Sequence, residues 1–406
     1  MRKGSDKKKK ENKKNRAERL KTLKEKKERL LYSFDDDVMK CDYKIVVTVL
    51  MLTAFGVLMV LSAGYYSTIN SVNPDPYLYL KKQGAYAVAG IAIMFFVAKL
   101  DYHKYMKYAN FCLVISIVLL CLLFTPLGLE VNNAVRWIHI VGGINITPSE
   151  ISKLAMIIFT SAFYAKDPGR IHDMLGGVLP MLVIMGIHAL LIIKQPNLST
   201  AIVVSLIIMG IMFVAGLDLK LIGAMFALIV AGLAGILILK PSNHWYARLT
   251  TWTDPFAYQQ GDGYQVSQGL IALGNGGIKG LGLGNSVAKN LYLPEPQNDF
   301  ILAIIGEELG FIGILILMCV YIYLIWRCLI VANRAKDKFG FYLASGVAIM
   351  LALQVIINVA VVTSSMPATG ITLPFISYGG TSIIVFAAAM GIVLNISKNN
   401  SKKEGI

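Results

Sequence analysis

Apolar runs of about twenty residues recur from residue 44 to residue 397, and they leave little choice of fold. Twenty residues of helix rise about 30 Å, the thickness of the hydrocarbon layer of a bilayer. Inside lipid every backbone N–H and C=O must find its partner within the protein, which only helices and closed barrels achieve. No ten-residue alternation of apolar and polar residues supports a barrel. The spacing predicts ten spans, at about 44–66, 83–100, 111–129, 151–165, 176–194, 200–217, 220–239, 301–326, 341–363 and 380–397. Composition agrees: charged residues are 16% of the chain, against about 25% in a soluble domain. The expected fold class is all-α, a polytopic membrane protein with a large loop between helices 7 and 8.

The basic residues give the expected orientation. Residues 1–32 contain fifteen Lys and Arg and five Asp and Glu, so ten of the fifteen net positive charges lie there. Lys104 and Lys107, Lys166 and Arg170, then Arg327, Arg334, Lys336 and Lys338, and finally Lys398, Lys402 and Lys403 fall on the same side as that tail. Both termini are therefore expected in the cytoplasm. Loops at about 130–150, 240–300 and 364–380 then face outward. The chain divides into a basic tail (1–43), a membrane domain (44–397, with 240–300 as its large outer loop) and a short basic end (398–406). The first apolar run is too long, and too far behind charge, for a cleavable signal peptide. Because the tail leads straight into a span, anionic lipid is its expected partner rather than nucleic acid. A loose apolar face from Arg16 to Leu31 fits an interfacial helix.

Polar chemistry is confined to a few places. Asp299 sits where a glycine-rich loop meets an apolar run, and Glu307 and Glu308 follow inside that run. A carboxylate near the bilayer centre costs roughly 2.5–3.5 kcal/mol, so at least one of the three is expected to serve a purpose. The loop itself, Gly274 to Gly284, has no preceding strand and no Gly-Lys-Ser/Thr ending. It reads as a re-entrant or interfacial segment needing tight turns, with Lys279 and Lys289 as candidate pyrophosphate contacts. In the first outer loop Arg136-Trp137 precedes Thr147-Pro148-Ser149-Glu150-Ile151-Ser152-Lys153. Pro148 reads as a helix start, and Lys153 shares a helix face with Glu150. A lysine one turn into the membrane needs a partner or a wet cavity. Proline and glycine between Met366 and Ser382 break the backbone at the outer membrane level, which is tolerated only against protein or a cavity. The five cysteines and five histidines form no metal-ligand spacing. His188, inside a span, reads as a packed, hydrogen-bonded residue.

Taken in order, Pro-Ser-Glu-x-x-Lys (148–153), Gly-Tyr-Gln-x-x-Gln (263–268), Gly-Leu-Gly-Asn-Ser (282–286), Leu-Pro-Glu-Pro-x-x-Asp-Phe-Ile (293–301), Ile-Gly-Glu-Glu-Leu-Gly-Phe (305–311) and Gly-Ile-x-Leu-Pro-Phe-Ile-Ser-Tyr-Gly-Gly-x-Ser (370–382) resemble the SEDS family of shape, elongation, division and sporulation proteins. The resemblance covers about residues 44–396 and is nearest to the FtsW/SpoVE branch, less near to RodA. It implies a peptidoglycan glycosyltransferase that polymerises lipid II, an undecaprenyl-pyrophosphate glycolipid, on the outer face of the membrane. It implies pairing with a class B penicillin-binding protein, alongside other division or sporulation proteins. The family's aspartate falls on Asp299, its lysine on Lys153 and its Arg-Trp arginine on Arg136. Asp299 is then the expected base for the acceptor 4-hydroxyl. Lys153 and Arg136, with Lys289 and Arg248 as further candidates, would meet the pyrophosphate charge. Glu150, Glu295 and Ser377 stand as supporting residues within the motifs. A divalent cation, Mg or Mn, bridging Asp299 and pyrophosphate is the one cofactor this chemistry would accommodate.

Several positions depart from the family's usual wording. Gln297-Asn298 replaces His-Thr, Leu302 replaces Phe, Asn197 follows Gln195-Pro196 in place of Asp, and Thr147 replaces Gln. Two other functions fit the same segments: a lipid II flippase using the polar cavity, and a non-catalytic division or sporulation scaffold.

Overall fold

A computed structural model describes residues 41–69, 74–131, 134–140, 144–239, 248, 251–261 and 263–401. The basic tail, with its expected interfacial helix, and residues 402–406 lie outside the described residues.

Ten apolar helices form the body. They are α1 (Tyr43–Ile69), α2 (Leu78–Lys99), α3 (His103–Leu122), α4 (Pro148–Lys166), α5 (Leu179–Ile193), α6 (Leu198–Ala215), α7 (Leu219–Leu239), α9 (Ile301–Asn333), α10 (Lys338–Val362) and α11 (Gly380–Ser401). A shorter helix, α8 (Tyr264–Gly276), lies in the large loop. Eight of the spans are long and apolar enough to cross a bilayer by length and hydropathy alone, α5 together with the π turn before it. α4 is less apolar because Glu150, Lys153 and several hydroxyl residues dilute it, and most of its residues are buried among other helices. The arrangement is that of a multi-pass membrane protein.

Burial separates core from periphery. About 78% of the apolar window of α11 and 67% of that of α10 is buried, against 17% for α3, so α10 and α11 form the centre and α3 faces lipid. Helices approach through small residues, since lipid provides no hydrophobic drive between them. A methyl group on Gly391 would lie 2.5 Å from the Met94 carbonyl, and one on Gly56 would lie 2.4 Å from that of Phe375. Neither position admits a larger side chain without moving backbone.

Span ends differ from expectation. α3 begins at His103 rather than near 111, so Lys104 and Lys107 lie on its first two turns. Both are exposed, as lysines are when their stems lie along apolar surface and the ammonium reaches water. α2 starts at Leu78, and α9 runs on to Asn333. The all-α expectation also missed a small antiparallel sheet in the first outer loop: β1 (Gly128–Val131), β2 (Ala134–Ile140) and β3 (Ile144–Ile146), ordered β1-β2-β3.

α9 is not one helix. Thirty-three residues would rise about 50 Å, well beyond a bilayer core of about 30 Å. Gly310 interrupts it at φ 68° and ψ −170°. The groups freed there pair with the glycine-rich loop: Leu281 and Gly282 donate their N–H groups to the carbonyls of Glu307 and Glu308, and Phe311 and Ile312 donate theirs to Gly277 and Ile278, at 2.9–3.2 Å. Gly280 must be glycine, because at φ 79° an added methyl would lie 2.3 Å from the Glu308 carbonyl. The loop is thus the backbone partner of a broken span, in keeping with the turn-forming role read from its glycines.

The two ends of the bundle are distinct. At one end Arg327 pairs with Asp42, the Asp42 N–H donates to Ser397, and the Tyr102 N–H donates to Asn395. Tyr102 also donates to Asp337, the N-cap of α10. The Asp299 loop, the sheet and the segment 364–379 gather at the other end.

Candidate active site

Asp299 stands two residues before the first residue of α9, beside the N-terminal, positive end of a half-helix that stops at Gly310. Its carbonyl accepts a hydrogen bond from Asn358 Nδ2 at 2.8 Å, and the same nitrogen donates to the Ile371 carbonyl at 2.7 Å. On the other flank the Gln297 carbonyl accepts from the Tyr378 N–H at 2.9 Å, and Gln297 Nε2 donates to the Tyr79 hydroxyl at 2.9 Å. The loop is therefore held from α2, α10 and the 370–379 segment together.

Two guanidiniums face the carboxylate. Arg136 comes from β2, where Leu129 pairs with Trp137 and Glu130 with Val135, leaving Arg136 as the extra residue of a β-bulge. A bulge re-aims the side chain it carries. Here it leads Arg136 to donate from Nη2 to the Pro196 carbonyl at 2.6 Å. Arg248 donates from Nη1 to the Ala368 carbonyl at 3.0 Å. Between them runs Gly370, at φ 71°: a methyl group there would lie 3.6 Å from Asp299 Oδ2 and 3.9 Å from Arg136 Nη1. One backbone turn thus touches both the acid and its cation.

Opposing influences on the Asp299 proton resolve in one direction. Burial, seconded by the nearby Glu295 charge, holds the carboxyl above its usual range, while its own backbone N–H, Arg248 and Arg136 pull it down without prevailing. Burial also lowers the Arg136 pKa, helped by the Arg248 charge and opposed by Asp299.

The remaining sequence-derived residues sort into other groups. Lys153, 3% exposed, pairs with Glu150 at 2.6 Å and lies over the Phe386 ring, so it is engaged within α4 and against α11. Lys289 is buried in an ion pair with Glu308 at 2.8 Å and donates to Ser62 of α1 at 3.0 Å. Glu307 accepts from Asn275 Nδ2 at 3.2 Å, from Ser286 Oγ and from the Ala288 N–H at 3.1 Å. Both glutamates therefore tie the loop to α9. Glu295, exposed, accepts from Asn298 at 2.6 Å. Ser377 Oγ accepts from the Leu373 N–H at 2.8 Å, bracing its own turn. His188 is buried between Ser116 Oγ and the Ile184 carbonyl, as read from its place in a span. Among the described residues no three His, Cys, Asp or Glu side chains come together to hold a metal.

Asn358 was not singled out in the sequence, and Gly370 and Pro196 stood inside quoted motifs without a role of their own. A lone amide in the apolar run Ile356-Ile357-Asn358-Val359 is the signal that could have found the first, since a polar side chain at that depth needs a partner.

The family model described as cell cycle protein, covering FtsW, RodA and SpoVE, matches residues 43–402. Stage V sporulation protein E of Bacillus subtilis (strain 168) is 37% identical over 358 residues, which cover 88% of this chain and 97% of that one. A probable peptidoglycan glycosyltransferase FtsW of Geobacter sulfurreducens is 37% identical over 89% of this chain and 96% of its own. Among solved structures, a chain from a study of polymerization and crosslinking by a peptidoglycan synthase complex superimposes with a TM-score of 0.72 at 25% identity, covering 89% of this chain and 98% of that one. The rod shape determining protein RodA of Thermus thermophilus gives 0.65 at 25% identity, covering 89% and 97%. Matched along its whole membrane body and near full length by such relatives, the chain belongs to the FtsW/RodA/SpoVE cell cycle protein family.

Proposed function

We propose that this chain is a peptidoglycan glycosyltransferase that polymerises lipid II, with Asp299 as the base. The observation that carries the reading is one carboxylate, raised by burial, set beside two guanidiniums at a broken-backbone end of a membrane bundle. A base works best when its pKa lies near the working pH, and a raised carboxylate is nearer to it than an ordinary one.

In the reaction Asp299 takes the proton of the acceptor 4-hydroxyl. The acceptor oxygen bonds to the donor anomeric carbon, and the bond from that carbon to the phosphate oxygen breaks with inversion. Undecaprenyl pyrophosphate leaves with the electron pair, and Arg136 and Arg248 meet its charge as it develops. A divalent cation would bind Asp299 and the pyrophosphate and add Lewis acidity. Among the described residues Glu295 is the one other carboxylate acting on Asp299, and two guanidiniums already supply positive charge there. Lys153 and Glu150 neutralise one another and support the wall formed by α4. Lys289 and Ser377 brace the loop and the 373–377 turn.

The end bearing Asp299 faces outward in this reading, with both termini cytoplasmic, which agrees with the basic residues at the opposite end. The transpeptidase partner is a class B penicillin-binding protein, engaged from the outer loops, and anionic lipid meets the basic tail. The test is polymerisation of lipid II by the purified chain with its transpeptidase, comparing Asp299 with Asp299→Asn. Wild-type yield from the variant would overturn the assignment. Transfer of labelled lipid II across vesicles by both proteins, with polymer from neither, would favour a flippase.

A further inference from the structure

Among the described residues, Asn358 is the one side chain that hydrogen-bonds the main chain of Asp299 from another span. It is fully buried in α10. Its Nδ2 donates to two carbonyls at once, that of Asp299 at 2.8 Å and that of Ile371 at 2.7 Å. Ile371 follows Gly370, the residue whose Cα direction lies against both Asp299 Oδ2 and Arg136 Nη1. A single amide therefore ties Asp299 itself to the end of the 370–379 segment that lies against the acid and its cation, while Tyr378 ties the far end of that segment to Gln297. No side chain of α10 takes part in the chemistry derived above.

We infer that Asn358 is a positioning residue for glycosyl transfer, fixing the Asp299 carboxylate against the Gly370 turn and hence against Arg136. The inference rests on the glycosyltransferase reading. Only a side-chain NH₂ meets the requirement, because both partners are carbonyl acceptors. Leucine keeps the branching at Cγ, is bulkier and donates nothing. Aspartate is nearly isosteric, but ionised it sets negative charge against two carbonyl oxygens. Protonated, it donates one hydrogen bond and restores one tie. The charged groups acting on Asp299 itself are Glu295, Arg248 and Arg136.

Displacement of a reacting group by about 1 Å costs on the order of 10²-fold in rate. Asn358→Leu, assayed as full chain with its transpeptidase on lipid II, is expected to lose on the order of 10²-fold in kcat with KM within about twofold. In the same variant, hydrogen exchange is expected to rise in peptides covering 297–303 and 369–375, and not in α2 or α11. That second readout needs no activity. Asn358→Asp is expected to gain activity relative to the wild type as pH falls, because its own protonation restores a donor while Asp299 in both proteins loses its base form. Wild-type kcat in Asn358→Leu, unchanged exchange in the two peptides, or an Asn358→Asp profile parallel to the wild type would each overturn the inference. If the wild type makes no polymer, the glycosyltransferase reading fails, while the exchange measurement still decides whether Asn358 holds the two segments. If Asn358→Leu does not fold, the Asn358→Asp profile carries the same decision.

Discussion

Asp299 and Glu308 lie nine positions apart, one just ahead of a half-helix and one near its end, and are treated in opposite ways. Glu308 is fully buried and answered by Lys289 and Ser62 at hydrogen-bonding distance. Its neighbour Glu307 accepts on both carboxylate oxygens, from Asn275, Ser286 and Ala288, whereas among the described residues Glu308 is answered at Oε1 alone. Asp299 is half-buried and faces a turn of backbone and two guanidiniums. The contrast separates carboxylates that hold a fold together from one that is kept available. Satisfied charge in a membrane protein reads as architecture, and charge left with cationic neighbours beside broken backbone reads as chemistry.

Four measurements break or sharpen that contrast. Asp299→Asn should show the largest effect, a loss of about 10²–10⁴-fold or more in polymerisation, with an unchanged thermal midpoint in detergent. Lys289→Met should act on stability instead, by about 3–5 kcal/mol, because it strands a buried carboxylate. Adding Glu308→Gln to Lys289→Met should recover much of that loss, as read by thermal unfolding. No recovery would mean that the pair does more than neutralise itself. Arg248→Gln should shift the pH dependence of the rate rather than abolish it. The rate falls in acid as Asp299 is protonated, at a pH above the usual carboxylate value of about 3.9. Removing a cation that lowers the Asp299 pKa raises it further, so the acid limb should move to higher pH. Asn197→Ala should be the mildest: it removes an N-cap bond to the Thr200 N–H, worth about 0.5–2 kcal/mol, beside the Pro196 carbonyl that holds Arg136, and should lower the thermal midpoint more than kcat.

The spans were legible because lipid imposes a length and a composition on every crossing, and among the described residues eight helices meet both. Asp299, Glu307 and Glu308 were legible as costly charges. What each carboxylate meets was not, because Ser62 to Glu308 is a contact across 246 residues and leaves no local trace. Lys289 shows the consequence: read as a pyrophosphate contact, it is occupied by Glu308. The sheet escaped notice because its strands are only three to seven residues long and sit between two spans. The break in α9 escaped because a glycine within an apolar run is compatible with a continuous helix, and only the carbonyls paired to Gly277–Gly282 reveal that Gly310 is not helical. Of the departures, Gln297 reaches Tyr79 of α2 and Asn298 its near neighbour Glu295, so with Gln-Asn in place of His-Thr the loop is anchored.

The ladder between the glycine loop and the broken span has a topological consequence. It joins residues 277–282 to residues 307–312 through main-chain atoms alone, so the intervening stretch is a closed ring pinned at its base. The main-chain bonds ask only for the glycines, and Ser286 and Lys289 inside the ring add side-chain ties to Glu307 and Glu308 at its base. Substitutions at those two positions therefore act on the base of the ring, while the register of the ladder is set by main-chain atoms. A displacement imposed on the rim is passed by covalent bonds to Asp299, which is itself a member of the ring.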